Sequence, residues 1–385
     1  MSPPVERVCA IGVWNDTIPG ITFDENGISN YYYLQKQMME ECPRDERGKK
    51  DWERIVRKIK ENGKSRHYDC IIGVSGGTDS SYLLHVAKEY GLRPLAVHLD
   101  NGWNSAISVT NISLVTSALG IDLETYVVEY EEMKDILRAY IRAGLPWVDG
   151  PSDLAIQSAL YKIAVQERIN YILMGNDFRS EGKQPSEWTY SDAKQLKHIH
   201  RRFGQTQLKT YPLLPLSRLL YLSYVRGIRL ISPYNYINYE KKEAQKFLQE
   251  KYGWEYYGEH HHENVFTTFT LVYWLPMKFH IDKRLITYSA QIVSGELTRE
   301  EALERINRPK YSPQELEEMK GYILKKLDLT EEEFKRIWNS PNKSVLDYPS
   351  NYLLLRKVAG FIFPVVRLVL PTKPKIFHEI EVRGR

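Results

Sequence analysis

The chain is predicted to be an α/β protein with a parallel sheet, an irregular N-terminal segment and a helical C-terminal region. Three observations lead there. Short apolar runs alternate with amphipathic helical patterns through its middle. A turn rich in glycine and serine joins the first such run to its helix. Beyond about residue 235, capped helical runs replace the alternation.

Residues 1–45 carry turn signals at Pro19-Gly20 and Glu25-Asn26-Gly27, and a polar helix is expected over 51–62. Residues 68–74 read as a short buried strand. A helix is predicted over 80–90, with Tyr82, Leu83, Val86, Ala87 and Tyr90 facing inward. A strand over 94–99 ends at Asp100-Asn101-Gly102, and a helix over 105–119 carries Ile107, Ile112, Val115 and Leu119 near helical spacing. Strands at 123–128 and 171–174 flank a helix over 153–168, an order that implies right-handed parallel crossovers. The boundaries are therefore 1–61 for the N-terminal segment, 62–235 for the α/β domain and 236–385 for the mainly helical region. Within the last, Thr298-Arg299-Glu300-Glu301, Ser312-Pro313-Gln314-Glu315 and Thr330-Glu331-Glu332-Glu333 each have the form of a capping box.

Composition narrows the function. A net charge of +4 over 385 residues suits anionic substrates and does not call for a nucleic-acid partner. The 27 tyrosines and 8 tryptophans imply an aromatic interior or groove. Cys9, Cys42 and Cys70 form no C-x-x-C pair and no disulfide framework, which favours a reducing cytoplasm. No basic-then-apolar leader opens the chain. The most apolar stretch, 352–371, is interrupted by Arg356, Lys357, Pro364 and Arg367. It is expected to be a buried or docking helix rather than a transmembrane one, with peripheral contact at a membrane surface as the alternative.

The turn after the first strand reads Val74-Ser75-Gly76-Gly77-Thr78-Asp79-Ser80. Glycines let the backbone approach phosphates, and amides at a helix start carry partial positive charge. The turn lacks the lysine of G-x-x-x-x-G-K-[ST] and is not G-x-G-x-x-G. It resembles the S-G-G-x-D-S loop of the PP-loop ATP pyrophosphatases, a parallel-sheet fold of the adenine nucleotide alpha hydrolase kind. That resemblance implies ATP cleaved between its α and β phosphates, with Mg²⁺ held through Asp79 and Asp177. Two more strand ends lie where open α/β sheets bind ligands. The resemblance sets His98 and Asp100 near adenosine, and Gly175, Asn176 and Asp177 near the phosphates. Plain turn chemistry is the alternative for both.

Several blocks in order resemble the N-acetyl sugar amidotransferases: residues 16–27, Lys251-Tyr252-Gly253-Trp254, 259–267, 275–279, Asp282-Lys283-Arg284, 294–302 and 347–351. The resemblance implies an enzyme that converts an acetamido group of a nucleotide-linked bacterial sugar to an acetamidino group. Ammonia would come from a glutamine amidotransferase subunit working with a barrel-type synthase-like subunit. Implied catalytic residues are Ser75, Asp79, Asp177, His261 and Glu263, and implied substrate contacts are His260, Lys278, Lys283 and Arg284.

The sequence departs from that pattern in two places. The family opens with two C-x-x-C pairs; here Cys9 is joined by Gly12, Ser29 and Tyr32, and one cysteine cannot hold structural zinc, so none is expected. The family's Lys-His-x-Glu-Ser block reads His260-His261-His262-Glu263-Asn264, matching at His261 and Glu263 only. This histidine run suits a polar substrate wall better than a metal centre, because adjacent residues rarely converge on one ion. Lys197, His198, His200, Arg201 and Arg202 form a basic stretch that either meets pyrophosphate or faces water. Two rival functions are a tRNA-modifying PP-loop ligase and a nucleotide-binding module without chemistry. Sulfur-transferring members of the first need paired cysteines, which are lacking; members of the second typically lack the S-G-G-x-D-S loop.

Overall fold

The computed structural model describes residues 7–256, 263–308 and 310–358. Its centre is a five-stranded, all-parallel sheet in the order β3-β2-β1-β4-β5. The strands are β1 (Cys70–Gly73), β2 (Pro94–Asp100), β3 (Leu123–Val127), β4 (Tyr171–Leu173) and β5 (Arg229–Ile231). Cys70 pairs with Pro94 on one side of β1, and Ile71 with Ile172 on the other. The chain winds outward through β2 and β3, then returns to add β4 and β5 beyond β1. The carboxyl ends of β1 and β4 thus flank the point where winding reverses, the usual crevice for ligands in such sheets.

Strands β1 to β4 fall where hydrophobic patterning places them. β5 was not anticipated, because three residues are too short to show a period and Arg229 and Leu230 are exposed on an edge. The first helices are α1 (Asn30–Glu41), α2 (Glu46–Gly63), α3 (Thr78–Glu89), α4 (Ala106–Leu119), α5 (Tyr130–Ala143) and α6 (Gly150–Gln166), and further helices follow. The expectation of irregular structure through residue 45 is corrected by α1. Its buried stripe of Tyr31, Leu34, Gln35 and Met38 has helical spacing but includes a polar residue. Gln35 is tolerated there because its Nε2 donates to the Phe178 carbonyl at 3.2 Å. Helix α5 escaped notice for a related reason. It buries Glu132 and Asp135, whose carboxylates accept backbone amides from residues 209–211 and 205–206 respectively. Of the three capping boxes, those at Thr298 and Ser312 are reciprocal, while at Thr330 the hydroxyl accepts from the Glu333 amide.

The cores cross the sequence boundaries at 61 and 235. One face of the sheet, with Ile72, Leu83 and Val115, packs with Val56 from α2 and with Tyr239, Leu248 and Trp254. Ile136 and Leu137 of α5 share a core with Phe266, Phe269, Trp274 and Phe334. The N-terminal segment packs Cys9, Val13 and Trp14 against Leu285, Ile286 and Leu297. The four positions of the degenerate cysteine pattern still converge in part. Cys9 Sγ accepts the Ser29 amide at 3.3 Å, and Ser29 caps α1. A side chain at Gly12 would collide with the Trp14 ring at 2.6 Å, so that ring fills the space beside the second position.

Among the described residues, no helix is long and apolar enough to cross a membrane. Residues 352–358 are helical with Leu353, Leu354 and Val358 exposed; the rest of the apolar stretch to 371 lies outside the described residues.

Candidate functional site

The loop after β1 is shaped as a backbone cradle. The Val74 amide donates to the Val97 carbonyl at 2.9 Å, fixing the strand end. Gly76 then turns with φ +80°, and a Cβ there would sit 2.1 Å from the Ser108 carbonyl oxygen, so glycine is required twice over. Helix α3 begins at Thr78 with Gly77 as N-cap and no side-chain cap, which leaves its leading amides to a ligand or solvent. Within the turn, Ser80 Oγ accepts the Ser75 amide at 3.2 Å and Ser75 Oγ accepts the Gly77 amide at 3.3 Å. The loop after β4 presses on this cradle: a Cβ on Gly175 would lie 2.8 Å from the Asp79 carbonyl carbon.

A second layer reaches the cradle from residues 234–254. Trp254 Nε1 donates to the Gly76 carbonyl at 3.0 Å and Gln245 Nε2 to Thr78 Oγ1 at 3.2 Å. Asp79 accepts from Lys241 Nζ at 2.9 Å and from the Tyr239 hydroxyl, while the Tyr234 hydroxyl donates to its carbonyl at 2.7 Å. The Tyr234 and Tyr239 rings stack at 3.9 Å. Burial works against the Lys241 charge, but the Asp79 carboxylate more than offsets it and holds the lysine pKa above its ordinary value.

Asp177, at the end of β4, sits differently. Its side chain is fully buried; Oδ1 pairs with Arg44 at 2.6 Å and accepts the Arg179 amide at 3.1 Å, starting the turn Phe178–Glu181. It therefore acts as an anchor between the N-terminal segment and the sheet, and it does not line the cleft that Asp79 opens onto. Asn176 does line it, with Oδ1 accepting from Ser232 Oγ at 2.9 Å.

His98 also lines the cleft, with both ring nitrogens engaged. Nδ1 lies 3.0 Å from the Val74 carbonyl and Nε2 3.2 Å from Asn104 Nδ2, so the neutral Nδ1–H tautomer satisfies both contacts. Asp100 Oδ1 accepts the Gly102 amide at 2.9 Å, the expected turn chemistry. Glu263 lines the same cleft, because the Ser105 amide bonds its carbonyl at 2.8 Å and Asn104 pairs with Asn264. Asn264 caps the helix Val265–Phe269, accepting the Phe266 amide at 3.0 Å and the Thr267 amide at 3.1 Å. Serine performs that role equally well, which accounts for this departure from the family block. His260 and His261 lie outside the described residues.

The remaining basic candidates have structural partners. Lys278 is buried and donates to the Trp338 and Ser340 carbonyls at 2.7 and 3.1 Å, away from the cleft lining, and burial lowers its pKa. Arg284 forms a fork on Asp282, with Nη2 at 2.7 Å, and reaches the Arg305 carbonyl at 3.1 Å. Arg284 and Lys283 both line the cleft, the Lys283 ammonium lying 4.1 Å from the centre of the Trp147 ring. The basic stretch folds against α5 in the helix Ala193–Phe203, where His200 Nε2 meets Asp135 at 2.9 Å.

Four residues were missed in the sequence: Arg44, Tyr239, Lys241 and Glu296. Glu296 lines the cleft, and its carboxyl is pushed up to about 7 by burial, with Asp177 adding repulsion and Arg44 and Lys241 opposing it. A signal existed for Glu296, which lies in the block 294–302. Lys241 carries none, since it reaches the loop from 162 positions away.

Residues 263–359 match the family model described as LPS biosynthesis protein WbpG-like, C-terminal domain. The matched stretch contains the sequence blocks at 275–279, 282–284, 294–302 and 347–351 and supplies Glu263, Lys283, Arg284 and Glu296 to the cleft. No curated protein matched. Among solved structures, the chain is similar to U34-tRNA thiolase NcsA from Methanococcus maripaludis, at 14% identity over 71% of this chain and 88% of that one, TM-score 0.31. It is similar to NMN synthetase from Francisella tularensis at 15% identity over 61% and 96%, TM-score 0.29. It is also similar to a predicted subunit of tRNA methyltransferase from Methanocaldococcus jannaschii DSM, at 14% identity over 47% and 75%, TM-score 0.28.

Proposed function

We propose that the chain is an ATP-dependent amidotransferase that adenylates an acetamido group on a nucleotide-linked sugar and replaces its oxygen with ammonia. The observation that carries this reading is the cradle at 74–80: a positive-φ glycine locked against Ser108, ahead of a helix start with no side-chain cap. Such a site binds a chain of phosphates through amides.

In the reaction, the amide oxygen attacks the α-phosphorus and the bond to the β-phosphate oxygen breaks, releasing pyrophosphate and leaving an O-adenylyl imidate. Ammonia attacks the imidate carbon, loses a proton, and AMP departs with the original oxygen. The cradle's contribution is to hold the phosphates in line and to stabilise charge that builds on them. Asp79 is the carboxylate on the cleft suited to the Mg²⁺ that accompanies ATP, because magnesium takes one or two carboxylates together with phosphate oxygens. Asp177 fits that role poorly, being committed to Arg44. Glu263 lines the same cleft and suits the acetamido end, where a carboxylate can take the ammonia proton. The glutamine-hydrolysing and synthase-like partners belong to the same reading as the source of ammonia.

The test measures AMP and pyrophosphate from ATP with ammonium and a panel of nucleotide-linked acetamido sugars. Both products are expected, in equal amounts and only with a sugar. Formation of ADP and phosphate, or turnover with tRNA in place of sugar, overturns the assignment.

A further inference from the structure

We infer that Lys241 is the cation of the phosphate site: on ATP binding its ammonium leaves Asp79 for the β- and γ-phosphates. This rests on the ATP-dependent reading above and adds a residue to it. The loop from Val74 to Ser81 contains no lysine or arginine. A helix start supplies only about half a positive charge, against roughly three to four negative charges on a nucleoside triphosphate. Magnesium on Asp79 offsets part of that charge and a second cation offsets more of it; Lys241 is already hydrogen-bonded to the cradle at 2.9 Å. It opens the helix Lys241–Tyr252, whose Gln245 reaches Thr78, and the same segment brings Trp254 to Gly76. Three consecutive contacts thus hold that helix in register with the loop. Lys241 lines the cleft together with Ser75, Thr78 and Asp79, and rotation of its four-carbon stem carries the ammonium from the carboxylate to a phosphate bound on the amides. Tyr239 remains on Asp79 after the exchange, so the carboxylate keeps a donor.

A purely structural lysine would be equally close to Asp79, so the experiment separates the two roles. Binding of Mg-ATP and of AMP is measured by calorimetry for the full chain and for Lys241→Met, Lys241→Arg, Asp79→Asn and the Asp79→Asn/Lys241→Gln pair. The pair exchanges the ion pair for a neutral amide contact, which keeps a folded reference if Lys241→Met proves unstable. Lys241→Met is expected to weaken ATP about tenfold or more while AMP changes less than about twofold, and Lys241→Arg to restore most of the loss. The Asp79→Asn/Lys241→Gln pair is expected to bind ATP about tenfold more weakly than Asp79→Asn alone. Equal ATP affinity in those two proteins overturns the inference, as does an equal loss for ATP and AMP. Failure of the unaltered protein to bind ATP overturns the functional reading instead.

Discussion

The loops after β1 and β4 lie side by side at the same edge of the sheet, and each places an aspartate near the start of the next helix, yet they do opposite work. Asp79 opens onto the cleft and is held by the buried Tyr239 hydroxyl and by Lys241, whose flexible ammonium a ligand can draw away. Asp177 is sealed away, with Arg44 and the Arg179 amide on one oxygen. Position at a switch point nominates both loops for ligand binding. Burial decides between them, since an ion pair removed from water holds the fold and offers nothing to a substrate.

The largest test of that contrast is Asp177→Asn. It leaves the Arg44 guanidinium buried without its counter-charge, and breaking a buried pair costs about 3–5 kcal/mol. Urea melts should show a much lower midpoint, whereas Asp79→Asn, whose partner Lys241 is the more exposed cation, should lose less. Equal stability of the two variants would erase the distinction between the loops. Next is Gly76→Ala. Strain at positive φ costs on the order of 1–3 kcal/mol, and the 2.1 Å approach to Ser108 forces the backbone to shift. ATP affinity should fall by more than tenfold, a loss that Gly120→Ala, also at positive φ but in open space, should not reproduce.

The smallest effect is a pH dependence from Glu296, which stands between the two loops electrostatically. Its carboxyl is raised from 4.5 to about 7, first by burial and then by Asp177. The folded protein therefore holds a proton that the unfolded chain has released between those values. The stabilisation is complete below about pH 4.5 and is lost as pH rises through about 7. Relative to Glu296→Gln, the melting temperature of the unaltered protein should fall as pH is raised from 5 to 8. Parallel profiles for the two proteins would show that Glu296 titrates in the ordinary carboxylate range.

Much of this was written in local sequence. Strands β1 to β4, the helix after the phosphate loop and the need for glycine at 76 follow from hydrophobic period and backbone sterics, which depend on near neighbours. So do the caps at Thr298 and Ser312. What only the tertiary structure decided involves partners far apart in the chain. The pairing of Arg44 with Asp177, of Lys241 with Asp79, the burial that raises Glu296 and the polar faces of α1 and α5 are of this kind. A charged or polar residue in a sequence carries no mark of whether its counter-group will arrive to permit burial. That is settled when the sheet winds back past β1 and brings residues 234–254 over the cradle.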